Sequence, residues 1–146
     1  MRGFTLLELL VVIAVITILS TTAFGYYHNF GKNAELETVA SMLKSDLRRA
    51  RGNAMAGDEN SKWGIHSVNG SNDYYEIFKT TSDYSNGTVT ETVYLPSVVM
   101  FEEPSEGMAR ETLYGKISGE TNSSTFTVTS FNRSITITVT ASGAVY

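Results

Sequence analysis

The sequence predicts an α+β fold: a long N-terminal helical part set against an antiparallel β-rich head. Three observations carry this expectation. Phe4 to Phe24 is an almost uninterrupted apolar run. From Glu35 onward, apolar residues recur at helical spacing. After Lys62 the chain turns to short segments rich in Val, Ile, Thr, Tyr and Phe, separated by Gly, Asn, Ser and Asp.

The apolar run FTLLELLVVIAVITILSTTAF holds one charge, Glu8. As a helix it would measure about 31 Å, close to the ~30 Å hydrocarbon core of a bilayer. A buried helix of a soluble domain would show a polar face, and this run has almost none. A cleaved secretory signal would have Met1-Arg2-Gly3 as a very short basic region, Leu6 to Leu19 as its apolar region, and Thr22-Ala23 near the cut. The acid at the start of the apolar region argues against it. An intramembrane carboxylate costs roughly 2.5–3.5 kcal/mol at the bilayer centre, so Glu8 calls either for a partner or for a place at headgroup depth.

The order Arg2-Gly3-Phe4-Thr5-Leu6-Leu7-Glu8 resembles the class III signal of type IV prepilins and type II secretion pseudopilins. The resemblance implies cleavage after Gly3 by a prepilin peptidase, N-methylation of Phe4, and an assembly role for Glu8. It implies other pilin or pseudopilin subunits and an inner-membrane assembly platform as partners. It also implies a single-pass anchor in the inner membrane with the head outside the cytoplasm, then a periplasmic or extracellular filament. The lone basic residue Arg2 agrees with the positive-inside tendency. The new amine at Phe4, with a reference pKa of about 7.7–8.0, would be largely cationic and could pair with Glu8 of a neighbouring subunit.

Tyr26 and Tyr27 suit a membrane interface. Gly25 and Gly31 are weak points, each costing a helix about 1 kcal/mol against alanine. Leu36, Val39, Ala40, Leu43, Leu47, Ala50 and Ala54 then form one stripe, expected to pack on a sheet. The helix should stop near Gly57, with Asp58-Glu59-Asn60-Ser61 as loop. Joining both halves into one rod, the pilin lollipop, is what the resemblance implies. The expected divisions are a leader (1–3), a transmembrane and filament-core helix (4–25), an amphipathic continuation (26–57) and a β-rich head (58–146). Arg48, Arg49 and Arg51 cluster on an otherwise acidic chain. They read as a solvated helix face suited to the helix dipole, or as a contact for another subunit or a nucleic acid.

The expected strands are Lys62–Val68, Tyr74–Thr80, Thr88–Leu95, Val98–Glu102, Thr112–Ile117, Thr125–Ser130, Ser134–Thr140 and Gly143–Tyr146. Asn69-Gly70 and Asn86-Gly87 mark turns. Phe126, Val128 and Ser130, then Ile135, Ile137 and Val139, alternate with polar residues and read as half-buried strands. Leu43–Gly57, Trp63-Gly64-Ile65 and the ending SITITVTASGAVY resemble the pseudopilin-H/FimT-like domain. That resemblance implies a minor pilin or minor pseudopilin; the stretch from Glu102 to Asn122 departs from it.

The composition narrows the function. Eleven Lys+Arg against 15 Asp+Glu give a net charge of −4, which disfavours a generic cationic nucleic-acid binder. With no cysteine, disulfides, thiolate metal sites and cysteine nucleophiles are excluded. There is no P-loop and no HExxH, and His28 and His66 are the only histidines. No enzyme activity, cofactor or metal is expected. Asp58-Glu59-Asn60 and Asp83 to Gly87 carry oxygen ligands but lack EF-hand spacing, and read as turn chemistry. The expectation is a structural subunit of the minor kind. The rivals are a major pilin forming the shaft, and a DNA-capturing minor pilin using Arg48, Arg49, Arg51 and Arg133.

Overall fold

The computed structural model describes residues 4–146, with side chains 22–30 left undescribed. The leader positions Arg2 and Gly3, and the side chains of Tyr26, Tyr27 and His28, therefore lie outside the described residues.

The first element, α1, runs Leu6–Ala56, 51 residues, through both Gly25 and Gly31. Neither expected weak point ends it. At 1.5 Å per residue it is about 77 Å long. Thr5 caps its start in extended conformation, and its Oγ1 accepts the Glu8 N–H at 3.3 Å. Thr5-Leu6-Leu7-Glu8 thus has the spacing of a capping box, with the acid in the first turn, where the helix dipole favours it. At the other end Gly57 sits at φ 69°, the left-handed conformation a C-cap requires, and its N–H returns to Ala54 O. Ile117 N also donates to Ala54 O at 2.9 Å, so a loop of the head closes the helix end.

The head has two antiparallel sheets. One has the order β3-β2-β1-β5, with β1 Lys62–Val68, β2 Tyr74–Thr80, β3 Thr88–Tyr94 and β5 Ala109–Tyr114. The other has the order β4-β6-β7, with β4 Met100–Glu103, β6 Ser124–Ser130 and β7 Arg133–Val139. The expected α+β lollipop-like fold is what forms: an N-terminal helix packed on antiparallel sheets.

Several strand boundaries differ from expectation. The fifth strand begins at Ala109 rather than Thr112, because Ala109 to Arg110 continue the pairing with Val68 and Ser67 of β1. It ends at Tyr114, and Ile117 lies in a turn at φ 68°. Val98 and Val99 belong to a turn closed by Val99 N on Pro96 O, so β4 starts only at Met100. The penultimate segment, expected as Ser134–Thr140, spans Arg133–Val139. The last segment, Gly143–Tyr146, returns along β7 through a single bridge, Val139 to Val145. Gly143 makes this return possible: at φ 77°, a Cβ there would stand 2.0 Å from Gly119 O.

The core lies between α1 and the sheets. The stripe Leu36, Leu43, Leu47, Ala50 and Ala54 is fully buried against Ile65, Tyr114, Phe126, Val128 and Ile137. Burying each large apolar side chain contributes about 1.5–3 kcal/mol.

Candidate functional site

Two halves of one helix behave oppositely. Every described residue from Phe4 to Thr21 is exposed, Phe4 at 82% and Leu6 at 83%, whereas Leu36, Leu43 and Leu47 are at 0%. A bare apolar surface of this extent marks a site of association with lipid or protein. Among the described residues no helical stretch is long and apolar enough to cross a membrane; the last described side chain in this part is Thr21, inside a run that continues in sequence to Phe24. Thr17, Ser20 and Thr21 are not orphaned polar groups, since their hydroxyls donate to carbonyls three or four residues back. Phe4 and Glu8 both lie at the free tip of the rod, with the Glu8 carboxylate exposed one turn into the helix.

The four arginines singled out in the sequence do not form one patch. Arg48 Nη2 donates to Val145 O at 3.1 Å, and Arg51 Nη2 to Ser142 O at 3.0 Å. These two fasten the C-terminal return to the helix. Arg49 turns to the other side, 3.2 Å from Asp46 and 2.6 Å from Glu91 of β3. Arg133 lies far along the helix, 2.8 Å from Glu37. The last helical turn has no basic residue. The expected match with the helix dipole is therefore replaced by specific bonds to carbonyls and carboxylates.

Both candidate calcium loops use their oxygens internally. Asp83 Oδ1 accepts from Ser85 and Asn86, closing its own turn, and these bonds hold its carboxyl below the usual carboxylate range. Glu59 pairs with Lys79. Among the described residues no cluster of three or more His, Asp or Glu side chains is placed to hold a metal.

His66 takes a more particular position than a plain strand residue. Its ring stacks on Tyr84 at 3.8 Å between centroids. Its cross-strand partners are Glu76 on β2 and Glu111 on β5. Burial lowers its pKa from the ordinary value, while the two glutamates act against that shift. No sequence pattern signals the Tyr84 stack, because it needs a turn folded back over β1.

Residues 1–24 match the family described as the prokaryotic N-terminal methylation motif. This motif supports a type IV pilin or pseudopilin kind of subunit, processed by a prepilin peptidase and assembled with other pilin-type subunits. It is a structural motif, not an enzymatic one, and it suggests membrane anchoring followed by association with a filament. No curated protein and no solved structure matches the chain.

Proposed function

We propose that this protein is a structural, non-enzymatic minor pilin or minor pseudopilin of the pseudopilin-H/FimT-like kind. It serves a type IV pilus or a type II secretion filament. It is made as a membrane-anchored prepilin whose first apolar helix half spans the inner membrane, with the head outside the cytoplasm. Prepilin peptidase cuts between Gly3 and Phe4, Phe4 is N-methylated, and the assembly platform moves the subunit into a filament. Residues 1–3 are the leader, 4–25 the filament core, 26–57 the continuation into the head, and 58–146 the head.

One observation carries this reading. A methylation motif sits on the bare end of a helix whose other end is the core of a folded head. A soluble protein with that end uncovered would aggregate; lipid before assembly and neighbouring helices after it supply the cover. Each of Arg48, Arg49, Arg51 and Arg133 has an oxygen partner within the chain, which counts against a nucleic-acid contact through them.

The test is mass spectrometry of sheared surface filaments and of the membrane fraction, quantifying this protein and its N-terminal peptide. A trace component beginning with methylated Phe4 is the expected result. A dominant filament component with that N-terminus would make it the major pilin. An N-terminal peptide still beginning at Met1 in both fractions would overturn the processing.

A further inference from the structure

The β6–β7 hairpin turns on Phe131 and Asn132, between the paired residues Ser130 and Arg133. Phe131 is at φ 55° and is 69% exposed. A bulky residue at positive φ is an outlier, since primed two-residue turns normally place Gly, Asn or Asp there. Keeping a large aromatic ring at a strained, exposed tip points to a use for the ring. The tip is held against α1. Lys32 Nζ stands 4.9 Å from the Phe131 ring centroid, and Arg133 bonds Glu37 one turn further on. Asn33, Asn132, Arg133 and Phe131 line an open notch of about 320 Å³ between the turn and the helix.

The height of this tip along the rod follows from the charges. Between Glu8 and Lys32 the chain has no Asp, Glu, Lys or Arg. Along one continuous helix, those two residues are separated by about 36 Å. A bilayer has a hydrocarbon core of about 30 Å and a full thickness of about 40–45 Å. Only one setting keeps both charges out of hydrocarbon: Glu8 in one headgroup layer and Lys32 in the other. Phe131, fixed beside Lys32, then stands at the same depth.

We propose that the β6–β7 tip is a membrane-docking wedge: Phe131 enters the outer-leaflet interface of the inner membrane while Lys32 faces lipid phosphates, and the Arg133–Glu37 pair holds the tip on the helix. The wedge rests on the membrane-anchor reading above. Lysine with an apolar ring is the side-chain pairing of interfacial segments, the ring below the headgroups and the ammonium reaching up to them. Docking would hold the head upright and fix its rotation about the helix before extraction.

The absence of cysteine makes the test clean. Phe131→Cys, Ile13→Cys and Ile117→Cys in the full chain each accept one spin label. The labelled proteins are placed in phosphatidylethanolamine/phosphatidylglycerol bilayers, and collision with oxygen and with a water-soluble nickel chelate gives the depth. Ile13 reports the anchor; Ile117, beside Ala54 O at the opposite end of the head, reports bulk water. The expected result is a deep label at 13, a water-exposed label at 117, and a label at 131 at headgroup depth. Lys32→Glu should then move the 131 label towards water. A label at 131 as water-accessible as that at 117, with 13 deep, overturns the wedge and leaves the anchor standing. Water access at 13 overturns the anchor and the wedge together. Spin–spin broadening at 131 that disappears on dilution with unlabelled chain assigns the tip to a second copy and overturns lipid docking.

Discussion

Arg48 and Val145 stand 97 positions apart in the chain, yet the Arg48 guanidinium donates to the Val145 carbonyl at 3.1 Å. This bond closes the head. The chain end is held to β7 by a single bridge and three backbone bonds, two between Thr138 and Tyr146 and one from Thr140 N to Ala144 O, and to the helix by Arg48, by Arg51 bonding Ser142 O, and by burial of Val145. Hydrogen bonds from charged donors contribute about 1.5–3 kcal/mol, less where solvent reaches them. Arg48→Ala should therefore cost about 1 kcal/mol and lower the Tm by about 3 °C. Hydrogen exchange gives the sharper check: the Tyr146 amide, bonded to Thr138 O, should lose its protection before β6 or β7 does. Unchanged protection at Tyr146 would show that the return strand holds without the arginine.

The helix is tied to the first sheet by a different kind of bond. The Tyr75 hydroxyl donates to Asp46 Oδ2 at 2.7 Å, and Asp46 also faces Arg49. Tyr75→Phe keeps the ring packing and leaves Asp46 its arginine, so the loss should be about 1 kcal/mol. Burial pushes the Tyr75 hydroxyl well above the ordinary tyrosine value, and burial raises Tyr114 to about 12. The unfolded chain releases these protons near pH 10, so the folded state binds more protons above that pH. The stability they contribute is complete below about pH 10 and is lost as pH rises through the folded values. Phenolate absorbance should show both tyrosines silent until alkaline unfolding, and Tyr75→Phe should remove part of the alkaline instability. Ionisation of every tyrosine without loss of fold would refute the assignment.

These ties show what sequence alone could disclose. The stripe from Leu36 to Ala54 is legible because a helix repeats every 3.6 residues, and the same stripe forms the core. The strands β1 and β2 fall where they were expected, since both are rich in β-branched and aromatic residues and Asn69-Gly70 marks the turn between them. The fifth strand was displaced because its start is set by β1 across the sheet, and Arg110 is paired there with Glu103. The arginine cluster was visible, but its partners were not: Ser142, Val145 and Glu91 come to the helix only through tertiary folding. The leader motif was legible because peptidase recognition acts on a short linear segment rather than on a fold.

His66 supplies an acid-side prediction. Its depressed pKa comes first from burial, with Glu111 and Glu76 opposing. Below about pH 6.5 the unfolded chain protonates this residue more readily than the folded one. The stability tied to a neutral His66 is thus complete above about 6.5 and is lost as pH falls through the lowered folded value. Protonation would also place a charge under the Tyr84 ring, whose hydroxyl is bonded to Glu76. His66→Gln should flatten the decline in Tm between neutral and mildly acidic pH without changing the stability at neutral pH by more than about 1 kcal/mol. Carboxylate protonation contributes at still lower pH in both proteins, so the comparison belongs above about pH 5. An equally steep decline in the variant would move the acid response away from His66.

The functional prediction turns on Glu8. In the isolated chain its carboxylate is exposed at the start of α1, and the cap on its backbone N–H comes from Thr5 rather than from its own side chain. Glu8→Ala therefore leaves the described cap bond in place and removes only the charge. In a packed filament that charge would sit among neighbouring apolar helices, where a lone carboxylate is costly and a cationic Phe4 amine of the next subunit would neutralise it. Breaking such a buried pair typically costs about 3–5 kcal/mol because the partner is stranded. The variant should reach the membrane and be cut and methylated at Phe4 like the parent, yet enter filaments at a small fraction of the parental level. Glu8→Asp should recover part of the incorporation, since the charge is kept on a shorter side chain. Immunoblots of sheared filaments, normalised to processed protein in the membrane, decide the matter. Full incorporation of Glu8→Ala would mean that assembly is guided by apolar packing alone.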